Sequence, residues 1–149
     1  MWFALGLGAL ALLAIGLVLA GGDGPKVAPI PTLATVPSDE AGLRAIARDP
    51  AVLAVGKQVY DSLCWNCHGR AGEGGIGPNL RDDWWIGGSD MQDLVLVVRN
   101  GRPGTAMQPM AAQYSPAQIA AVAAYVVSLK GTTGGNGKAP EGTHKPIGW

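Results

Sequence analysis

The most reactive side chains of this sequence fall together in one run, Cys64-Trp65-Asn66-Cys67-His68. Two thiols stand at i and i+3, with an imidazole directly after the second. That spacing is the attachment signature of c-type haem. Each thiol adds across one haem vinyl group to form a thioether, and the adjacent imidazole is then held against the iron from one side. On this chemistry Cys64 and Cys67 tether one haem c covalently, and His68 is the proximal axial ligand. Rival chemistries fit less well. A zinc site wants about four ligands, whereas the chain has two cysteines and two histidines, and the second histidine, His144, lies in a remote glycine-rich segment. A thioredoxin-like redox pair belongs in a strand–helix context that this neighbourhood lacks. A disulfide between Cys64 and Cys67 would be short and strained.

The other face of the iron needs a ligand, and the candidates are Met107, Met110, His144 and Met91. Met91 opens a helix and reads as core. Met107 lies in Gly104-Thr105-Ala106-Met107-Gln108-Pro109, a loop able to bring sulfur to iron, and Met110 follows three residues later in the same loop. Met107 is the expected metal ligand, with Met110 as the alternative. His/Met ligation raises the potential and fills both axial positions, which suits electron transfer over peroxide chemistry. Gap filling around the ring is the plainer role for either methionine.

The elements that must position these groups are helical. Ser38 is expected to cap a short helix running to about Arg48, with acids in its first turn and Arg44 and Arg48 near its end. Asp49-Pro50 starts the next helix, about 51–63, whose apolar stripe is Val52, Val55, Val59 and Leu63 and which delivers the chain to Cys64. Gly56 and Tyr60 sit one turn apart on it, as a close helix crossing beside an aromatic would require. Residues 69–88 hold seven glycines with Pro78, Trp84 and Trp85, an irregular loop to wrap a flat group. Ser89, with Gln92, is expected to cap a helix over 90–100. Ser115-Pro116-Ala117-Gln118 starts a last helix, ended by Gly131, with Ile119, Val122, Val126 and Leu129 inward and Tyr125 beside them. That makes three principal helices around a loop-rich centre, and no strand is predicted.

The 149 residues are enough for one modest domain with appendages. Eleven basic and eleven acidic residues balance, so bulk charge points to no nucleic acid partner. Hydrophobic residues make up 48% and charged ones 15%, with the apolar excess at the N-terminus. Both cysteines are committed to the haem motif, so no disulfide framework supports the fold. Residues 2–20 carry no charge, and as a helix they span about 28 Å, close to the roughly 30 Å of bilayer hydrocarbon. Val18-Leu19-Ala20 could end a cleaved signal peptide instead, but no Lys or Arg precedes the run and it is long for an h-region. A retained anchor is the expectation. Covalent haem attachment outside the cytoplasm would orient it N-in and C-out in a bacterial cytoplasmic membrane. The expected organisation is therefore an anchor over 1–20, a Pro/Gly linker over 21–37, a short helix over 38–49, the monohaem domain over 50–130 and an extended tail over 131–149. At about 3.1 Å per residue the linker could reach roughly 50 Å, as a spacer or along a partner. The tail has no apolar period and alone should be disordered, so order along it would point to a partner surface. The mixed charges Arg70, Glu73, Arg81, Asp82 and Asp83 read as a solvated face. A unit as small as 50–130 is marginal as bare polypeptide, and the tethered haem would complete its core.

From the haem motif onward the chain resembles the class I c-type cytochromes, through Cys64-Trp65-Asn66-Cys67-His68-Gly69, Gly77-Pro78-Asn79-Leu80 and Met107 before a C-terminal helix. The resemblance implies a mainly α fold in which helices near 51–63 and 116–129 cross beside the haem, with Gly56, Tyr60 and Tyr125 at the crossing. It also implies that Pro78 and Leu80 contribute to the haem site, the Pro78 carbonyl accepting a hydrogen bond from His68. Asp83-Trp84-Trp85-Ile86-Gly87-Gly88, Val98-Arg99-Asn100-Gly101-Arg102 and Ser128-Leu129-Lys130-Gly131-Thr132 with Lys138-Ala139-Pro140-Glu141-Gly142 are similar to the C-terminal haem domain of the cytochrome c subunit of cbb-type haem–copper oxidases. That subunit typically carries two haem motifs, and this chain has one. A proline often follows the family's methionine ligand, where this chain has Gln108. The implied function is single-electron transfer by a membrane-anchored monohaem cytochrome, not itself an enzyme. Its implied partners are the other subunits of a respiratory or photosynthetic membrane complex and a donor or acceptor redox protein. A free tethered shuttle and a peroxidase-like haem protein are the alternatives.

Overall fold

The structure, a computed structural model, describes Val27, Ile30, residues 35–132 and residues 136–145. The expected anchor over 1–20 lies outside the described residues, and so does most of the linker. Among the described residues no helix is long and apolar enough to cross a membrane.

The described residues fold as five helices and one small ribbon: α1 (Glu40–Ile46), α2 (Pro50–Val59), α3 (Trp65–His68), α4 (Met91–Asn100) and α5 (Pro116–Leu129), with β1 (Trp84–Trp85) and β2 (Thr143–His144). Between α2 and α3 the backbone widens into a π-helical turn, Tyr60–Cys64, in which the Trp65 amide reaches back to the Tyr60 carbonyl. A single residue added to one turn in this way is common near functional sites. The uninterrupted apolar stripe of 52–63 gives no sign of it.

The helix starts follow capping chemistry, with two corrections. Asp39, not Ser38, caps α1, accepting the Gly42 amide at 2.8 Å. Asp90, not Ser89, caps α4, accepting the Asp93 amide at 2.8 Å. Gln92 therefore does not close a box on Ser89, and its side-chain amide donates to the Ser38 carbonyl. The expected box at α5 is present: the Ser115 amide donates to Gln118 Oε1 at 2.9 Å and the Gln118 amide to Ser115 Oγ at 3.3 Å. Pro50 and Pro116 occupy first-turn positions where a missing N–H costs nothing.

The core gathers around α5, against which α1, α2 and α4 all pack. Beyond the expected inward residues Ile119, Val122 and Val126, Ala120, Ala121, Ala123 and Ala124 are also buried, so α5 is enclosed on most sides. Small side chains there let α2 approach closely. A methyl built on Gly56 would overlap the Ala121 carbonyl, which explains a glycine in mid-helix despite its cost of about 1 kcal/mol. The Tyr60 and Tyr125 rings meet beside this crossing, with centroids 5.3 Å apart. The short helix α1 is tied to α4, since Glu40 accepts the Met91 and Gln92 amides at 3.2 and 2.9 Å, favourable for an anion at a helix N-terminus. Val27 packs against the core, Ile30 is buried in it, and the Val27 carbonyl accepts from Gln118 Nε2.

One expectation fails at the C-terminal end. The tail does form a strand: β2 pairs antiparallel with β1, Trp84 opposite His144 and Trp85 opposite Thr143. The described residues of the tail, 136–145, pack back on their own chain.

Candidate functional site

The π-helical turn ends at Cys64, and α3 carries Cys67 and His68 in the next turn. Tyr60, fully buried, donates its hydroxyl to the Gly69 carbonyl at 2.6 Å, fixing where the chain leaves the motif. Gly69 itself adopts φ +81, the left-handed conformation that stops α3 and that side-chain-bearing residues avoid. The Ser62 and Tyr114 hydroxyls lie 2.9 Å apart, joining the turn to the loop before α5.

Cys64 and Cys67 are free thiols, each half-buried. Burial, opposed by a backbone hydrogen bond, pushes the Cys64 thiol up to about 11. His68 Nδ1 lies 3.0 Å from the Pro78 carbonyl, and since a carbonyl only accepts, the ring nitrogen donates. That tautomer leaves the lone pair on Nε2, as iron ligation requires. Burial holds the imidazole below its ordinary pKa, the Pro78 carbonyl opposes this, and the Lys138 charge adds to it. Gly77 makes room for the ring: a Cβ there would stand 2.7 Å from His68 Cε1.

The loop after His68 is laced to the motif. The Gly74 amide donates to the His68 carbonyl at 2.7 Å, Gly77 to Cys67 at 2.9 Å and Leu80 to Gly72 at 2.8 Å. Pro78 is half-buried and Leu80 buried. Most charges read as a solvated face are engaged here. Arg70 covers the Trp65 ring at 4.2 Å, Glu73 accepts the Ala71 amide, Arg81 holds the Thr132 carbonyl, and Asp82 is buried with its Oδ1 on the Trp84 amide.

Met107 and Met110 separate in role. Met110 packs against the core and its amide donates to the Val98 carbonyl at 3.1 Å. Met107 is half-exposed and outside that cluster, in a loop closed by the Arg102 amide on its carbonyl at 2.9 Å. Met91 is fully buried core. His144 is exposed and stacks on Trp84, centroids 5.3 Å apart. No cluster of three or more His, Cys, Asp or Glu side chains able to hold a metal occurs among the described residues.

Two unbridged thiols one turn apart, an imidazole with a free Nε2 and a glycine cradle beneath the ring suit covalent haem with histidine ligation. Bound haem c would supply a one-electron iron couple. Sequence reasoning quoted Lys138 only within the run Lys138-Ala139-Pro140-Glu141-Gly142 and gave it no place beside the imidazole, which the order of the tail reveals.

The family model described as cytochrome C oxidase, cbb3-type, subunit III matches residues 51–126, just over half of the chain. A cbb3-type cytochrome c oxidase subunit CcoP of Rubrivivax gelatinosus is 38% identical over 89 residues, covering 58% of this chain and 29% of that protein. A FixP subunit of the same oxidase type from Bradyrhizobium sp. is 40% identical over 105 residues, covering 61% of this chain and 36% of that protein. The chain thus spans about a third of these relatives. Among solved structures, cytochrome cL of the marine methylotroph Methylophaga aminisulfidivorans superposes with a TM-score of 0.52 at 25% identity, covering 55% of this chain and 57% of that one.

Proposed function

This chain belongs to the cbb3-type cytochrome c oxidase subunit III family, and from that premise we propose that it is a membrane-anchored monohaem c-type cytochrome passing single electrons within a membrane oxidase complex. Cys64 and Cys67 form the thioethers, His68 is the proximal ligand and Met107 the distal one, while Pro78 and Leu80 complete the proximal wall. Residues 1–20 are the anchor, N-in and C-out, and 50–130 are the haem domain in the periplasm or outside the cell. The chain carries electrons and is not by itself an enzyme; its partners are the other subunits of the complex and a redox donor or acceptor.

The observation that supports this reading is the 3.0 Å contact of His68 Nδ1 with the Pro78 carbonyl, which leaves the Nε2 lone pair available to a metal. The chain's own groups do the positioning. Tyr60 holds the exit of the motif, Pro78 orients the imidazole, and the enclosed α2–α5 crossing keeps the frame rigid during charge change. Filling both axial positions suits electron transfer over ligand chemistry.

Denaturation followed by acidic acetone extraction tests attachment, with pigment expected to stay on the polypeptide; pigment in the acetone phase would refute it. In mild detergent the full chain should co-migrate with large partners. Migration alone would favour the free shuttle.

A further inference from the structure

Residues 136–145 run back across the loop that supports His68. The Lys138 amide donates to the Glu73 carbonyl at 2.8 Å, and the Lys138 carbonyl accepts from Asn79 Nδ2 at 3.3 Å. The Lys138 ammonium reaches the Ile76 and Gly77 carbonyls at 3.3 and 3.5 Å and pairs with Glu141 at 2.7 Å. Further on, β2 pairs with β1, the Lys145 amide donates to the Asp83 carbonyl at 2.7 Å, and Lys145 Nζ donates to the Gly87 carbonyl at 2.9 Å. The segment is therefore fastened at both ends and along its length.

Its contacts bracket one residue. The Pro78 carbonyl shares its peptide plane with the Asn79 amide, and the plane before it, with the Gly77 carbonyl, has no N–H to hold it. The position of that carbonyl depends on the neighbours. Before it, the Gly77 carbonyl is held by Lys138 Nζ and by the Gly75 amide at 3.0 Å. After it, Asn79 is held between the Lys138 carbonyl and the Arg81 amide at 2.9 Å. One lysine thus anchors both sides of the group that orients the imidazole.

We propose that residues 136–145 form a strap across the proximal loop, and that Lys138 is a positioning residue for His68 whose ammonium also raises the reduction potential of the haem. The proposal rests on the haem reading above. Two effects follow from one contact. The strap fixes the hydrogen bond that sets ring orientation, and partners of this kind tune a metal through its ligand. The cation in addition disfavours the more positive, oxidised iron by simple Coulomb repulsion. Because Lys138 is partly exposed, that second effect should weaken as salt rises.

The test uses full-length holoprotein in four forms: wild type, Lys138→Gln, Lys138→Arg and Glu141→Gln. Each is titrated to its midpoint potential, and its hyperfine-shifted haem methyl resonances are recorded in the oxidised state. Lys138→Gln should lower the potential and change the methyl pattern, and Lys138→Arg should restore both. Glu141→Gln removes the anion and leaves the ammonium, so its potential should move upward. Opposite signs for Lys138→Gln and Glu141→Gln, with the gap from wild type shrinking at high salt, support the strap as a tuning device. Unchanged potentials, or shifts of the same sign in both variants, overturn it. Acidic acetone extraction of the same samples separates the two levels: pigment lost from wild type refutes the haem reading and the proposal together, whereas retained pigment with unmoved potentials refutes the strap alone.

Discussion

The loop after His68 and the loop that carries Met107 are both irregular and glycine-bearing, yet they are held by different means. Residues 69–80 are tied to the haem motif by backbone bonds at Cys67 and His68, to Tyr60 by its hydroxyl, and to the distant Lys138. Residues 101–107 are closed mainly on themselves, through Arg102, Thr105 and Met107, with residues 103–106 exposed. The Met107 loop is tied outward by the Gly101 amide on the Val97 carbonyl and by Arg102 Nη2 on the Ile86 carbonyl, and just after it by the Met110 and Ala111 amides on Val98 and Arg99. On the proposed ligation, the imidazole would sit on braced backbone and the thioether on a loop closed mainly on itself.

The largest effect is expected on the freer side. Met107→Ala should abolish the low-spin His/Met spectrum, including the charge-transfer band at the red end, and lower the potential, because no neighbouring group replaces a sulfur ligand. Met110→Ala should keep spectrum and potential, yet reduce stability by about 1–2 kcal/mol, below the roughly 2–5 kcal/mol of a fully buried methionine. Visible spectra of both variants with a thermal melt decide this. The reverse pattern would make Met110 the ligand and dissolve the contrast between a packed residue and a half-exposed one.

An alanine at one glycine on each side measures the bracing directly. In Gly77→Ala the new methyl meets the His68 ring at 2.7 Å, so ring or loop must move. Overpacking of that kind costs about 1–3 kcal/mol, and here it should also perturb the axial-ligand spectrum. Around Gly104 nothing lies within 4 Å, so its alanine meets only the strain of φ +74. That strain is roughly 1–2 kcal/mol, with no spectral change expected. Equal spectra for the two variants would show that the proximal loop yields as readily as the distal one.

The same contrast explains what was legible in the sequence. The Pro50 and Pro116 starts, the Ser115–Gln118 box and the Gly56 crossing are local patterns with one physical solution, and they stand as read. Ser38 and Ser89 looked like caps because hydroxyls cap helices, but each is followed by an aspartate, and the carboxylate one residue later takes the amides. The π-helical turn leaves no trace in an apolar stripe that suits either geometry. The tail was the larger miss. Its order comes from backbone groups meeting the backbone of a loop about 60 residues away, and composition carries no record of such pairing. The place of Lys138 beside the proximal loop became visible only with that contact.

Acid should distinguish the two loops by the smallest margin. Between 101 and 115 there is no carboxylate, whereas Glu73 folds its own over the proximal loop. The Glu73 amide, the largest cause, and the Ala71 amide, which donates at 2.8 Å, hold its carboxyl below the ordinary carboxylate range. A depressed native pKa contributes stability above the unfolded value, and that contribution is lost as pH falls through the native one. Because Glu73 is solvent-accessible, screening keeps the gain well under about 1 kcal/mol. Thermal unfolding of wild type and Glu73→Gln should therefore differ slightly at neutral pH and converge on acidification. A gap that persists undiminished in acid would mean that the loop is held there by shape and not by charge, and the proximal bracing would then owe nothing to its one local anion.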